Sequence, residues 1–162
     1  MPIFTKFIMI TMALFLAACG DSSDDKSEGR QPIVLGTPTG EYTKISKADV
    51  LAGVGSLPSG LVEVTLKLYN VKVEDVTYGS GLMKKKGREL KLDMFGVNNL
   101  DISVKSNSPL FKKLIELSPS IGMVTVKGDI KLYGSDYSRG YMYPDVIILH
   151  PDVQIEDASS NG

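Results

Sequence analysis

The stretch Leu61–Val73, LVEVTLKLYNVKV, decides how this chain folds. Val62, Val64, Leu66 and Leu68 alternate with Glu63, Thr65, Lys67 and Tyr69, the two-residue period of a strand with one buried and one wet face. After Asn70 the phase slips by one residue, and Val71 and Val73 take over the apolar positions. A slip of that kind inside a long strand predicts a β-bulge, which bends the strand around the corner of a small barrel.

Working outward, Tyr78–Arg88 (YGSGLMKKKGR) predicts a polar, glycine-rich hairpin tip. Leu90, Leu92 and Met94 then alternate, and Gly96-Val97-Asn98-Asn99 supplies a turn, since Gly and Asn tolerate positive φ. Leu100, Ile102 and Val104 mark a third strand. The period then changes. Ser108-Pro109 predicts a helix start, with Leu110, Phe111, Leu114 and Leu117 at helical spacing and Pro119 as the stop. Val124, Val126, Ile130 and Leu132 share one face of a fourth strand around Gly128. Tyr143–Leu149 is a short apolar run, and Pro151, ahead of Val153 and Ile155, predicts that this last strand is bulged or lies at an edge. Upstream, Ser46–Gly53 reads as a short helix with Ser46 as N-cap, Asp49 near its third position and Gly53 at its end.

Three strands, a helix and two more strands, the first of them bulged, resemble the OB-fold across residues 61–157. The resemblance implies a mainly β domain, a small five-stranded barrel with one helix between strands 3 and 4. An SH3-like barrel is the alternative, but it has no helix at that point. An immunoglobulin sandwich needs about seven strands and leaves Ser108–Leu117 without a place.

Met1–Ala18 is apolar with Lys6 as its only charge, and the apolar run Phe7–Ala18 is 12 residues long. A membrane-spanning helix needs about 20, so the segment reads as a secretory signal peptide. It ends Leu16-Ala17-Ala18-Cys19-Gly20, which resembles the lipobox of bacterial lipoproteins at all four motif positions. The resemblance implies cleavage before Cys19, a diacylglyceryl thioether on Cys19 and acylation of its amino group. Two or three acyl chains make a lasting anchor, because each buried methylene contributes about 0.8 kcal/mol. Gly20 in place of aspartate after the cysteine implies, in a Gram-negative envelope, the outer membrane facing the periplasm. Residues 19–40 then form the lipidated cysteine and a flexible tether rich in Gly, Ser, Asp, Thr and Pro, in which only Ile33, Val34 and Leu35 are apolar beyond the cysteine. Residues 41–60 hold the short helix, and 158–162 read as a disordered tail.

Composition narrows the chemistry. The 162 residues carry 18 Lys+Arg against 19 Asp+Glu, one cysteine and one histidine. That balance excludes nucleic-acid binding as a property of the whole surface. It also excludes a disulfide framework within the chain and a histidine-rich metal site. The only base for a serine or cysteine nucleophile is His150, between Leu149 and Pro151, where a structural role fits better than catalysis. No Cys-x-x-Cys, His-Glu-x-x-His or Gly-Lys-Ser motif occurs, so no catalytic residue, metal or cofactor is expected.

Binding has better candidates. In OB-folds the loops between strands 1–2 and 4–5 flank the ligand face. The first carries Lys84, Lys85, Lys86, Arg88 and Lys91, a set that attracts phosphate in nucleic acid or lipid headgroups. The second, Gly134–Tyr143, interleaves Tyr137, Tyr141 and Tyr143 with Arg139, which suits stacking on bases or sugars. A lysine run also serves a plain solvated turn and discourages edge aggregation. The expectation is a lipid-anchored, non-enzymatic binding or adaptor module of the cell envelope. It would meet the membrane through its anchor and engage a protein, glycan or anionic ligand. The alternative is an oligonucleotide- or polyanion-binding protein of the periplasm or cell surface.

Overall fold

The computed structural model describes residues 29–58, 60–79, 81–133 and 138–156. The expected signal segment, Cys19, Tyr137 and the expected tail lie outside them. Seven strands and two helices follow in order: β1 Ile33–Gly36, β2 Thr43–Ile45, α1 Lys47–Ala52, β3 Gly60–Tyr78, β4 Lys85–Met94, β5 Leu100–Lys105, α2 Pro109–Leu117, β6 Gly122–Tyr133 and β7 Arg139–Leu149.

The protein is mainly β, and five strands close as a barrel-like ring, β3-β4-β5-β7-β6 and back to β3. The β5–β7 pair is parallel and the other four contacts of the ring are antiparallel. With α2 between the third and fourth ring strands, this is the expected OB-like arrangement. Its core is the set that alternation marked: Val62, Val64, Leu66 and Leu68 face Leu90, Leu92, Ile102, Val104, Val124 and Val126, all buried.

Ring closure depends on β3. Residues 60–68 pair with β6, residues 68–78 pair with β4, and the register shifts between Leu68 and Asn70. The bulge predicted from the phase slip therefore sits where β3 passes from one neighbour to the other. Beyond it Val71 is partly buried, but Val73 is exposed, since the strand is already leaving the core. A second register shift falls at Lys127/Gly128 opposite Pro144 and Val146. The bulge in β7 thus lies beside Pro144, not Pro151. There the other edge of β7 passes from β5, paired to Gly140–Met142, to β1, paired to Val146–Leu149. Proline suits that point, having no N–H for a ladder. Leu132 also departs from expectation: it is exposed near the end of β6, past the packed part of the ring.

Both helices start as their sequences require. Ser46 and Asp49 form a reciprocal capping box on α1, and Ser108 caps α2 ahead of Pro109. Leu110 and Leu114 bury one side of α2.

Part of the span 19–40, expected as a tether, is folded. Ile33–Gly36 is a strand on the edge of β7, with Leu35 buried. A three-residue apolar run is too weak a signal alone, but a waiting sheet edge supplies the hydrogen bonds it needs. Likewise residues 41–60 hold β2, which pairs in parallel with β3, as well as α1.

Strand polarity gives the ring two distinct ends. β3, β5 and β7 run one way; β4, β6 and β1 run the other. One end therefore gathers the C-termini of β3, β5 and β7 with the N-termini of β4 and β1. From it, residues 74–78 of β3 and 85–88 of β4 continue as a two-stranded arm, held at its base where the Ser106 N–H donates to the Arg88 carbonyl.

Candidate functional site

The pleat turns every second residue of β4, β5, β6 and β7 away from the core. On the outer surface this places Glu89 and Lys91 beside Asp101, Ser103 and Lys105, through the pairs Glu89↔Lys105 and Lys91↔Ser103. Parallel pairing sets Asp101 level with Tyr141, and antiparallel pairing sets Tyr133 opposite Arg139 and Asp129 opposite Tyr143. The result is a shallow depression of about 320 Å³ whose lining includes Glu89, Lys91, Asp101, Ser103 and three tyrosines, Tyr133, Tyr141 and Tyr143.

The tyrosines form a continuous shelf. The rings of Tyr133 and Tyr141 lie 5.9 Å apart and tilted; Tyr141 and Tyr143 meet edge-on at 5.4 Å. Lys105 Nζ sits 4.0 Å from the centroid of the Tyr143 ring, closing one side with a cation.

Carboxylates brace the shelf from beneath. Glu89 is only 7% exposed. It accepts hydrogen bonds on Oε1 from the hydroxyl of Tyr78 at 2.5 Å and from that of Tyr143 at 3.2 Å. Asp101 accepts from the Tyr133 hydroxyl at 2.6 Å and pairs with Lys91 Nζ at 3.4 Å. A buried carboxylate is costly unless satisfied, and two charge-assisted hydrogen bonds supply that satisfaction.

The tyrosine hydroxyls titrate accordingly. Burial, then the charge and hydrogen bond of Glu89, push Tyr143 up to about 12. Burial and the hydrogen bond to Glu89 raise Tyr78 further still. The hydrogen bond to Asp101, with burial, raises Tyr133. At Lys91 burial works downward, but Asp101 outweighs it and the ammonium group is held above its usual range. All three hydroxyls stay protonated at neutral pH and act as donors.

Tyr78 reaches Glu89 from the arm because of Gly87. A Cβ there would lie 2.6 Å from Tyr78 Cε2, so only a glycine lets the ring lie flat across β4.

The candidates separate in space. Tyr141, Tyr143 and Lys91 meet on the face, and Arg139 stands exposed at its border opposite Tyr133. These residues belong to strands, not to the loop predicted from Gly134 to Tyr143. Of the basic set only Lys84, Lys85 and Lys86 stand at the tip; Arg88 lies further along β4, and Lys91 is on the face. Lys84 follows the turn, while Lys85, Lys86 and Arg88 open β4 as a paired strand. Lys86 and Arg88 lie opposite Thr77 and Asp75, on the other side of the arm from Lys85 and Gly87. A run of neighbouring cations becomes, once pleated, two faces with an acid among them.

Sequence reasoning passed over Glu89, Asp101, Ser103, Lys105, Tyr78 and Tyr133. A signal was available for Asp101, Ser103, Lys105 and Tyr133: each holds the outward position in a strand whose alternate residues are apolar or glycine. Tyr78 and Glu89, among the mixed residues of the arm and its base, carried none. His150 Nε2 lies 2.8 Å from Thr125 Oγ1, which in turn meets Thr65 Oγ1 at 2.8 Å, a chain of side chains that ties the end of β7 to β6 and β3. No helix among the described residues is long and apolar enough to cross a membrane. Compared with protein-family models, with curated proteins and with solved structures, the chain shows no match.

Proposed function

We propose that this chain is a lipid-anchored, non-enzymatic binding module of the bacterial cell envelope that holds its partner on the tyrosine face. One observation carries the binding surface: three packed tyrosines on rigid strands, braced by carboxylates and flanked by Lys105 and Arg139. Aromatic rings with fixed hydroxyls offer large contact area at little entropic cost, the chemistry of protein and glycan recognition. Building them on strands fixes their geometry before the partner arrives. The anchor rests on Leu16-Ala17-Ala18-Cys19.

The oligonucleotide alternative finds less support on this face. A phosphate there would meet Glu74, Glu89 and Asp101, and like charges repel at short range.

Photo-crosslinking in cells tests the surface. A benzophenone amino acid at Ser103 is expected to give discrete adducts that disappear with Tyr141→Ala and Tyr143→Ala. The same probe at Lys112 on α2 is expected to give none. Identical adducts from both positions would overturn the assignment. The anchor has a separate readout: Cys19→Ser is expected to abolish palmitate incorporation, and unchanged labelling would contradict it.

A further inference from the structure

At the end of the arm, Leu82 and Met83 stand in solvent more fully than any other large apolar side chain of the described residues, at 105% and 80% exposure. They belong to a single helical turn, Gly81–Met83. Gly79 fastens that turn: its φ is 83°, and a Cβ on it would fall 2.7 Å from the Met83 carbonyl oxygen. Lys84, Lys85 and Lys86 follow at once, and none of them has an ion pair among the described residues; the same holds for Arg88.

An apolar pair in water with three unpaired ammonium groups behind it matches a surface that is apolar below and phosphate-bearing above. At about 3.3 Å per strand residue, the cations stand roughly 3–10 Å behind the apolar pair, the depth at which headgroups lie above acyl chains. A nucleic acid is the poorer match, because bases stack on aromatic rings and the turn offers only aliphatic side chains.

Topology supplies an independent observation. β1 starts at the end of the ring from which the arm projects, so the described chain enters the fold at that same end, with Arg30 hydrogen-bonded to the Val153 carbonyl. The ten peptide steps from Cys19 to Gly29 reach at most about 35 Å when extended. An anchor at Cys19 would hold the arm's end of the ring toward the bilayer.

We propose that Leu82–Lys86 is a membrane-docking finger: Leu82 and Met83 enter the interface of an anionic bilayer while Lys84, Lys85 and Lys86 contact its phosphates. The proposal rests on the anchored reading for the membrane it meets and for the orientation, but not for the chemistry of the tip. With the finger inserted, the tyrosine face is held at a fixed height beside the membrane.

The test uses the full chain carrying Met83→Cys with a nitroxide on the new thiol, bound to vesicles of phosphatidylethanolamine and phosphatidylglycerol. Signal from the unsubstituted chain, treated identically, is subtracted. The expected result is that position 83 gains access to dissolved oxygen and loses access to a water-soluble nickel chelate. A nitroxide at Glu116→Cys on α2 should stay aqueous. Replacing Lys84, Lys85 and Lys86 together by Gln should shift the inserted-to-free ratio roughly 100-fold toward free, at about a factor of five per lysine. A position 83 that stays accessible to the nickel chelate overturns the finger. So does equal insertion into phosphatidylcholine vesicles, or a triple Gln variant that inserts unchanged. A tip that stays aqueous while the triple Gln variant loses single-stranded oligonucleotide binding overturns it in favour of polyanion recognition. Label stoichiometry reads the anchor separately. One nitroxide on the Met83→Cys chain marks Cys19 as blocked, two mark it as a free thiol, and the depth at position 83 decides the finger in either case.

Discussion

The tyrosine face and the hairpin tip are made of similar materials, lysines beside large side chains, yet they are held in opposite ways. On the face most polar ends are tied: Tyr133 to Asp101, Tyr143 and Tyr78 to Glu89, Lys91 to Asp101. At the tip Leu82 and Met83 are bare, and Lys84, Lys85 and Lys86 lack ion pairs among the described residues. A braced surface is preorganised for one partner geometry, whereas an unbraced one suits a fluid, extended surface such as a bilayer. The difference follows from strand pairing. Four ring strands converge under the tyrosines, whereas the tip has only the two strands of the arm.

Stability measurements break or sharpen this contrast. The largest effect belongs to the ring beneath the face. Leu66→Ala should lower the unfolding free energy by about 3 kcal/mol in urea titration. Leu82→Ala, by contrast, should stay within about 0.5 kcal/mol of the parent. A comparable loss at Leu82 would mean that the tip is packed after all. Next comes the brace itself. Tyr78→Phe with Tyr143→Phe removes both hydroxyls from a buried Glu89, at a cost of about 1–3 kcal/mol. Adding Glu89→Leu should recover most of it; no recovery would show that the cost lay in ring packing. Gly87→Ala places a methyl against the Tyr78 ring and should cost about 1 kcal/mol. It should also move Tyr78 toward the ordinary tyrosine range in an absorbance titration at 295 nm.

The smallest effect is read with pH. Tyr143 titrates at about 12 in the fold against an ordinary 10.0, and Tyr78 and Tyr133 are raised as well. A raised value means that the folded state holds the proton more tightly. The contribution is therefore complete below about pH 10 and is lost as the pH climbs through the folded values. Stability should fall over that window, and the fall should shrink in the Tyr78→Phe/Tyr143→Phe variant. A flat profile would contradict the bracing.

Much of the fold was legible, because alternation and caps are local. Val62 to Leu68, the slip at Asn70, the Ser46 box and the Ser108-Pro109 start each announce themselves within ten residues. β1 did not, because four residues become a strand only when a free edge of β7 is offered. The site was half legible. Tyr141, Tyr143 and Lys91 stand out in the sequence as members of two separate loops, because proximity along the chain is all that a local reading offers. Glu89 and Tyr143 lie 54 residues apart, and Tyr133 reaches Asp101 across 32. Register brings them together, and register depends on the closed ring. The same logic dispersed the cations: Asp75 faces Arg88 only once β3 and β4 are paired.

The central claim is that partner recognition belongs to the braced face and not to the tip. It is tested most directly by capturing crosslinked partners from cells with two variants of the full chain and quantifying them by mass spectrometry. The account predicts that Tyr141→Ala/Tyr143→Ala loses the partners recovered with the parent, while Lys84→Gln/Lys85→Gln/Lys86→Gln keeps them. Retention by the tyrosine variant with loss by the lysine variant would contradict it.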